Sequence, residues 1–109
     1  NVFMAGATIN SSTEIGNHSI FNTNSSIDHD NKISNFTSIA PNAVTGGNVE
    51  VNDFSAIGIG ATVLHSTSIA ENCIIGANSL VIQDTKPNSL YYGSPAKFKR
   101  THELGEVYL

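Results

Sequence analysis

The 109-residue chain has one cysteine, Cys73, so no internal disulfide can form. That fits a reducing compartment and a cytoplasmic protein. Basic residues are also scarce, with 5 Lys and Arg against 9 Asp and Glu and a formal charge of −4. A chain of that balance has no general electrostatic footprint for nucleic acid. No apolar run approaches the ~18 residues that a membrane span requires. No basic segment leads into an apolar one, so no signal peptide is visible and no membrane partner is expected. The i, i+3, i+4, i+7 pattern of amphipathic helices is missing between Asn1 and Thr85. Four N-x-S/T triplets, at Asn10, Asn17, Asn24 and Asn35, are what an Asn- and Ser-rich chain produces by chance.

What the chain does have is a repeat. Stepping by six from Phe3 gives Ile9, Ile15, Phe21, Ile27, Ile33, Ile39, Thr45, Val51, Ile57, Val63, Ile69, Ile75 and Val81. Of these 14 positions, 13 are large and apolar, and Thr45 alone breaks the series. Four positions after each comes a second column, from Ala7 to Thr85, in which all but Asn31 and Val49 are small. One position after each large residue, Gly, Asn or Asp recurs: Asn10, Gly16, Asn22, Asp28, Gly46, Asn52, Gly58 and Gly76.

A period of six is a multiple of two, so both columns keep one side of an extended chain and point inward. The Gly, Asn and Asp positions are where a corner is expected to take φ > 0 cheaply. Strand, corner and strand, three times over, close a triangular coil that brings position i beneath position i+18. Coils then stack at strand spacing, about 4.8 Å. Residues 1–86 supply nearly five coils of a parallel β-helix. An antiparallel sheet needs turn clusters every 8–12 residues, which the lock on six does not provide. Cys73 sits in the small inward column, where packing is its expected role. Phe36 and Phe54 are 18 apart and are expected to stack on successive coils as a surface or subunit-contact ladder.

The chain resembles the hexapeptide-repeat acetyltransferases on these residues. The match sharpens at S-I-F-N-T-N-S-S-I-D-H-D (19–30), I-A-P-N-A-V-T-G-G-N-V (39–49), I-G-I-G-A-T-V-L (57–64), I-I-G-A-N-S-L-V (74–81) and G-S-P-A-K (93–97). Across residues 2 to 100 these segments resemble the bacterial sugar acetyltransferases that include sialic-acid O-acetyltransferases and nucleotide-amino-sugar N-acetyltransferases. The resemblance implies an all-β, left-handed parallel β-helix with a short C-terminal cap over residues 87–109. It implies a homotrimer with coenzyme between neighbouring helices, acetyl-CoA as co-substrate, a small-molecule sugar acceptor, and no metal. Family members usually carry an N-terminal Rossmann-like domain for the sugar nucleotide, which is absent from this chain.

Residue by residue, the resemblance makes His29 the general base and Asp30 its supporting carboxylate. A neutral imidazole removes the acceptor's proton near pH 7, and a neighbouring carboxylate orients the ring and raises its basicity. Adding 18 to 29 gives Gly47, on the same corner one coil along, where an N–H can meet the thioester carbonyl. Asn22 matches a family residue near the acetyl group. Coenzyme contacts carry over to Ser38, Ile59 and Ala77, and Lys97 with its basic surroundings is placed to meet phosphates. Family members often carry His where Ser38 stands. His65 falls in the His29 column, where an exposed corner is expected rather than a metal ligand. No closely spaced pair among His18, His29, His65 and His102 matches the zinc site of β-helical carbonic anhydrases. An O-acetyltransferase or another acyltransferase of the same fold remains an alternative, as does a non-catalytic β-helical scaffold. The scaffold would require a regular outward ladder, which the irregular outward positions do not form. After Lys86-Pro87 the chain leaves the repeat. Tyr91 and Tyr92 are expected to cap the last coil, followed by an irregular or helical tail.

Overall fold

In the computed structural model, which describes residues 1–106, the period of six becomes fourteen two-residue strands. Numbered in chain order, they sort into three faces. The first face holds β1 (Val2–Phe3), β4 (Ile20–Phe21), β7 (Ser38–Ile39), β10 (Ala56–Ile57) and β13 (Ile74–Ile75). The second holds β2 (Thr8–Ile9), β5 (Ser26–Ile27), β8 (Val44–Thr45), β11 (Thr62–Val63) and β14 (Leu80–Val81). The third holds β3 (Glu14–Ile15), β6 (Lys32–Ile33), β9 (Glu50–Val51) and β12 (Ser68–Ile69). All these pairings are parallel and join position i to i+18, as in Val2↔Ile20, Thr8↔Ser26 and Glu14↔Lys32. The expected parallel β-helix of about five coils is therefore borne out. No helix among the described residues is long and apolar enough to cross a membrane.

Each coil is tied to the next in two directions. Strand N–H groups reach forward to position i+17, as Ile20 does to the Thr37 carbonyl at 3.1 Å and Val44 to Ala61 at 2.9 Å. Corner N–H groups reach back to position i−19, as Asn24 does to Ala5 at 3.1 Å and Asn48 to His29 at 3.0 Å. The large column fills the interior: Phe21, Ile27, Ile39, Val51, Val63, Ile69 and Ile75 are fully buried. The small column leaves room for them and supplies hydroxyls near the corners. Ser19 Oγ donates to the Ser34 carbonyl at 3.2 Å and Ser55 Oγ to Ala70 at 2.6 Å. A hydroxyl that closes a buried carbonyl avoids the cost of leaving it unpaired. Cys73 is buried with its Sγ 3.0 Å from the Lys86 carbonyl, and burial pushes the thiol up. That suits packing rather than nucleophilic attack.

The corners differ from expectation in one respect. The left-handed residue is not the Gly, Asn or Asp just after the large apolar position but the residue two further on. It is Gly6, Ser12, His18, Asn24, Asp30, Phe36, Asn42, Asn48, Phe54, Gly60, Ser66, Asn72 and Asn78, with φ from 52° to 76°. The glycines of the earlier position serve close approach instead: a Cβ at Gly58 would lie 2.5 Å from the Ile75 carbonyl oxygen on the next coil. Phe36 and Phe54 stack at 5.1 Å as expected, and His18 extends the ladder at 5.0 Å from Phe36.

Beyond the coils, β15 (Ser89–Gly93) continues the first face parallel to β13, with Ile75 opposite Tyr91. It then turns back as β16 (Ala96–Thr101), an antiparallel hairpin. Within the segment expected as a cap and tail, residues 96–101 are thus a strand, because β13 offers an open edge that a hairpin can extend. Tyr91 packs against the core and its hydroxyl accepts the Lys86 N–H at 3.0 Å. Residues 107–109 of the tail lie outside the described residues.

With a core one side chain thick, every large inward residue matters. Ile39→Ala, in the middle coil, is expected to cost about 2–5 kcal/mol, seen as a lowered midpoint in equilibrium urea denaturation.

Candidate active site

Corners of the same kind stack into three edges. The edge between the second and third faces carries Ser11, His29, Gly47 and His65 at equivalent positions, one per coil. Asp30 follows His29 in the left-handed conformation, φ 56°. This turns its carboxylate back onto the ring, and Asp30 Oδ2 lies 2.9 Å from His29 Nδ1. An ionised carboxylate only accepts, so Nδ1 carries the proton and Nε2 of the neutral ring is left as a base. Asp28 holds the backbone, its Oδ1 accepting the His29 N–H at 2.8 Å and the Asn10 amide at 3.1 Å.

The hydrogen bond to Asp30 holds the His29 imidazole above its ordinary value of 6.5; desolvation opposes it, and the charges of Asp28 and Asp30 each add a lesser push upward. The side chain is 51% exposed, so solvent and partners can reach it.

Gly47 lies against this ring. A Cβ at Gly47 would fall 2.5 Å from His29 Cε1 and 2.6 Å from Nε2. The second glycine of Gly46-Gly47 is therefore the one that makes room for the imidazole. Among the described residues the Gly47 N–H has no acceptor, and the same holds for Asp53, Ile59, His65, Glu71 and Ala77 at equivalent corner positions. At some corners a preceding Asn closes that N–H instead, as Asn10 does for Ser11 and Asn22 for Thr23, whereas Asn52, which precedes Asp53, donates to the Ile69 carbonyl. Open donors are thus a property of the repeat, and the neighbouring imidazole is what sets Gly47 apart.

The remaining candidates lie elsewhere. Ile59 and Ala77 stack on the edge between the first and second faces, one coil apart. A Cβ at Gly58 would sit 2.9 Å from the Ala77 nitrogen, so that glycine keeps the Ala77 N–H uncovered. Tyr92 covers Gly76 on this edge, and Lys97 is opposite Tyr92 in the hairpin. Ile59, Ala77 and Lys97 therefore lie towards one edge, with Asn22 two coils below Gly58. Ser38 is half-buried on the first face, between Ile20 and Ala56. Asn22 and Gly47, both expected near the acetyl group, stand on different edges of one chain. Lys86 stacks on Phe98, Lys99 faces Tyr92 and Arg100 pairs with Glu106. Lys97 has no ion-pair or ring partner among the described residues.

Sequence reasoning missed Asn31 and Thr45, buried beneath the His29 corner. Thr45 was visible as the one break in the large column, and only the structure shows what it touches: Thr45 Oγ1 donates to Asn31 Oδ1 at 2.7 Å.

Asp30→Asn removes the carboxylate charge that favours imidazolium. The His29 midpoint is expected to fall from above 6.5 towards it, read by NMR titration of the ring protons. Gly47→Ala is expected to push the ring off its seat and alter the same titration.

No family model matches the chain. Solved structures do. PerB from Caulobacter crescentus, in complex with CoA and GDP-perosamine, is 30% identical over 91% of this chain and 51% of its own, with a TM-score of 0.87. Perosamine N-acetyltransferase from Caulobacter crescentus has also been solved with one histidine replaced by asparagine or by alanine. The acetyltransferase domain of PglB from Neisseria gonorrhoeae, in complex with acetyl coenzyme A, is 26% identical over 90% of this chain and 54% of its own, with a TM-score of 0.71. The chain spans about half the length of these proteins. A hexapeptide transferase family protein from Anaplasma phagocytophilum, at 22% identity and a TM-score of 0.76 over 95% of this chain and 70% of its own, shares the fold. The structural neighbours of this chain are thus hexapeptide-repeat sugar N-acetyltransferases, the group its sequence resembles.

Proposed function

We propose that this chain is the acyl-transfer half of an acetyl-CoA-dependent sugar acetyltransferase acting on a nucleotide-linked amino sugar, with His29 as general base. The observation that carries this is one cluster: Asp30 on His29 Nδ1 and Gly47 against the same ring. Nδ1–H donates to Asp30, so Nε2 accepts the proton as the acceptor's nitrogen attacks the thioester carbonyl carbon. The carbonyl oxygen gains charge, and the open Gly47 N–H supplies a donor for it. When the carbon–sulfur bond breaks, the His29 imidazolium is the nearest acid for the departing thiolate. Asp30 stabilises that imidazolium without taking its proton.

The coenzyme candidates Ile59, Ala77 and Lys97 lie on the edge neighbouring that of His29. A closed ring of three copies sets one edge of each chain against the other edge of the next. This supports a homotrimer whose sites lie between chains. A left-handed coil and a cytoplasmic location accompany this assignment. The complexes of the solved neighbours with CoA and a GDP-linked sugar support the substrate classes.

Purified protein is expected to release thiol from acetyl-CoA when given a nucleotide-linked amino sugar. His29→Ala is expected to lower kcat by roughly 10²–10⁴-fold; an unchanged rate would sink the mechanism. The base must be neutral and its pKa is raised, so kcat/KM is expected to fall with acidification along a limb whose midpoint lies above 6.5.

A further inference from the structure

Asn31 and Thr45 break the two inward columns on neighbouring coils. Asn31 stands in the small column and Thr45 is the one polar residue of the large column. Both are 2% exposed. Asn31 Nδ2 donates to the Gly46 carbonyl at 2.9 Å and to the His29 carbonyl at 3.0 Å. The first of these bonds is one the small column makes elsewhere, as Thr13 does to Asp28 and Ser55 to Ala70. Thr67 makes the second alone, to the His65 carbonyl at 3.4 Å; making both at once needs an amide, because a hydroxyl has one proton to give. Thr45 Oγ1 donates to Asn31 Oδ1 at 2.7 Å and accepts the Asp28 N–H at 3.2 Å. The pair therefore grips Asp28 and His29 on one coil and Gly46 on the next. A valine or isoleucine at 45 would match the column, so the hydroxyl is there for the bonds it makes. A fully satisfied buried network fixes one arrangement of the groups it joins.

Resting on the proposed role of His29 as base, we infer that Asn31 and Thr45 are positioning residues that hold the His29 corner in register over Gly47. They touch neither substrate nor the imidazole. Their effect is on where the ring sits relative to the Gly47 N–H, across a gap that tolerates no Cβ. Misplacement of this kind acts on the chemical step and leaves Asp30 on the ring.

The test compares Thr45→Val with Thr45→Ser in the full chain. Valine fits the column, so Thr45→Val is expected to fold. Its kcat is expected to fall about tenfold, with KM for acetyl-CoA within about twofold and the acid limb of the pH profile unmoved. Thr45→Ser, which restores the hydroxyl, is expected to return kcat to within about twofold of the unmodified chain. The Asn48 amide, bonded to the His29 carbonyl at 3.0 Å, is expected to exchange with solvent about tenfold faster in Thr45→Val. The corresponding amides of Asn24 and Asn72 are expected to stay as they are. If Thr45→Val turns over as fast as Thr45→Ser, or if exchange rises equally at all three corners, the positioning role is wrong. Should Thr45→Val not fold, Asn31→Ala combined with Thr45→Val fills both columns conventionally and takes its place in the comparison. A His29→Ala chain that keeps full activity would instead remove the base, and the Asn48 exchange then decides the positioning role alone.

Discussion

A two-residue strand has no stability of its own, so this molecule depends on the hydrogen bonds between its coils. Strand amides reach forward to position i+17 and corner amides back to position i−19. Every coil is thereby held both by the coil it pairs with through its faces and by the one it grips through its corners. The left-handed residues make this possible, since each turns the backbone so that its own N–H points at the coil behind. Phe36 and Phe54 adopt that conformation against their intrinsic preference. Their stacked rings, with His18, pack along the edge that results.

The same stacking rule decides what can be neighbours in the site. Positions i and i+18 are brought to strand spacing, so a base on one coil can be served by a backbone donor on the next. His29 and Gly47 are such a pair, and the ring occupies the space that a side chain at 47 would have filled. Where the chemistry is proposed, the imidazole is half exposed to solvent. One chain contributes an open edge rather than an enclosed pocket. The coenzyme candidates Ile59 and Ala77 are on a different edge of the same chain. Beneath the open corner, Thr45, the one polar residue of the large column, meets Asn31 of the small column.

Most of the fold was legible in the sequence because a strand-and-corner unit of constant length leaves an unbroken chemical record. The inward columns, the count of coils and the stacking of Phe36 on Phe54 all follow from that period. The glycines were read less well. Gly16, Gly46, Gly58 and Gly76 advertise positive φ, but the left-handed position belongs to a column rich in Asn that also contains Ser, His and Phe. Composition alone does not separate a glycine needed for its dihedral angle from one needed because another backbone comes close. The C-terminal hairpin was likewise hidden, because β16 is recruited by an open edge and not by a pattern of its own.

For the candidate site, the sequence by itself determined that His29 lies between two carboxylates and that Gly47 falls one coil along. Linear spacing suffices for that, because the coil is periodic. Only the tertiary structure decided that Asp30 turns back onto Nδ1, that the ring rests on Gly47, and that Asn22 and Gly47 stand on separate edges. It alone joined Asn31 to Thr45. Those contacts depend on side-chain direction across coils, which a left-handed corner and a missing Cβ determine and a period of six does not.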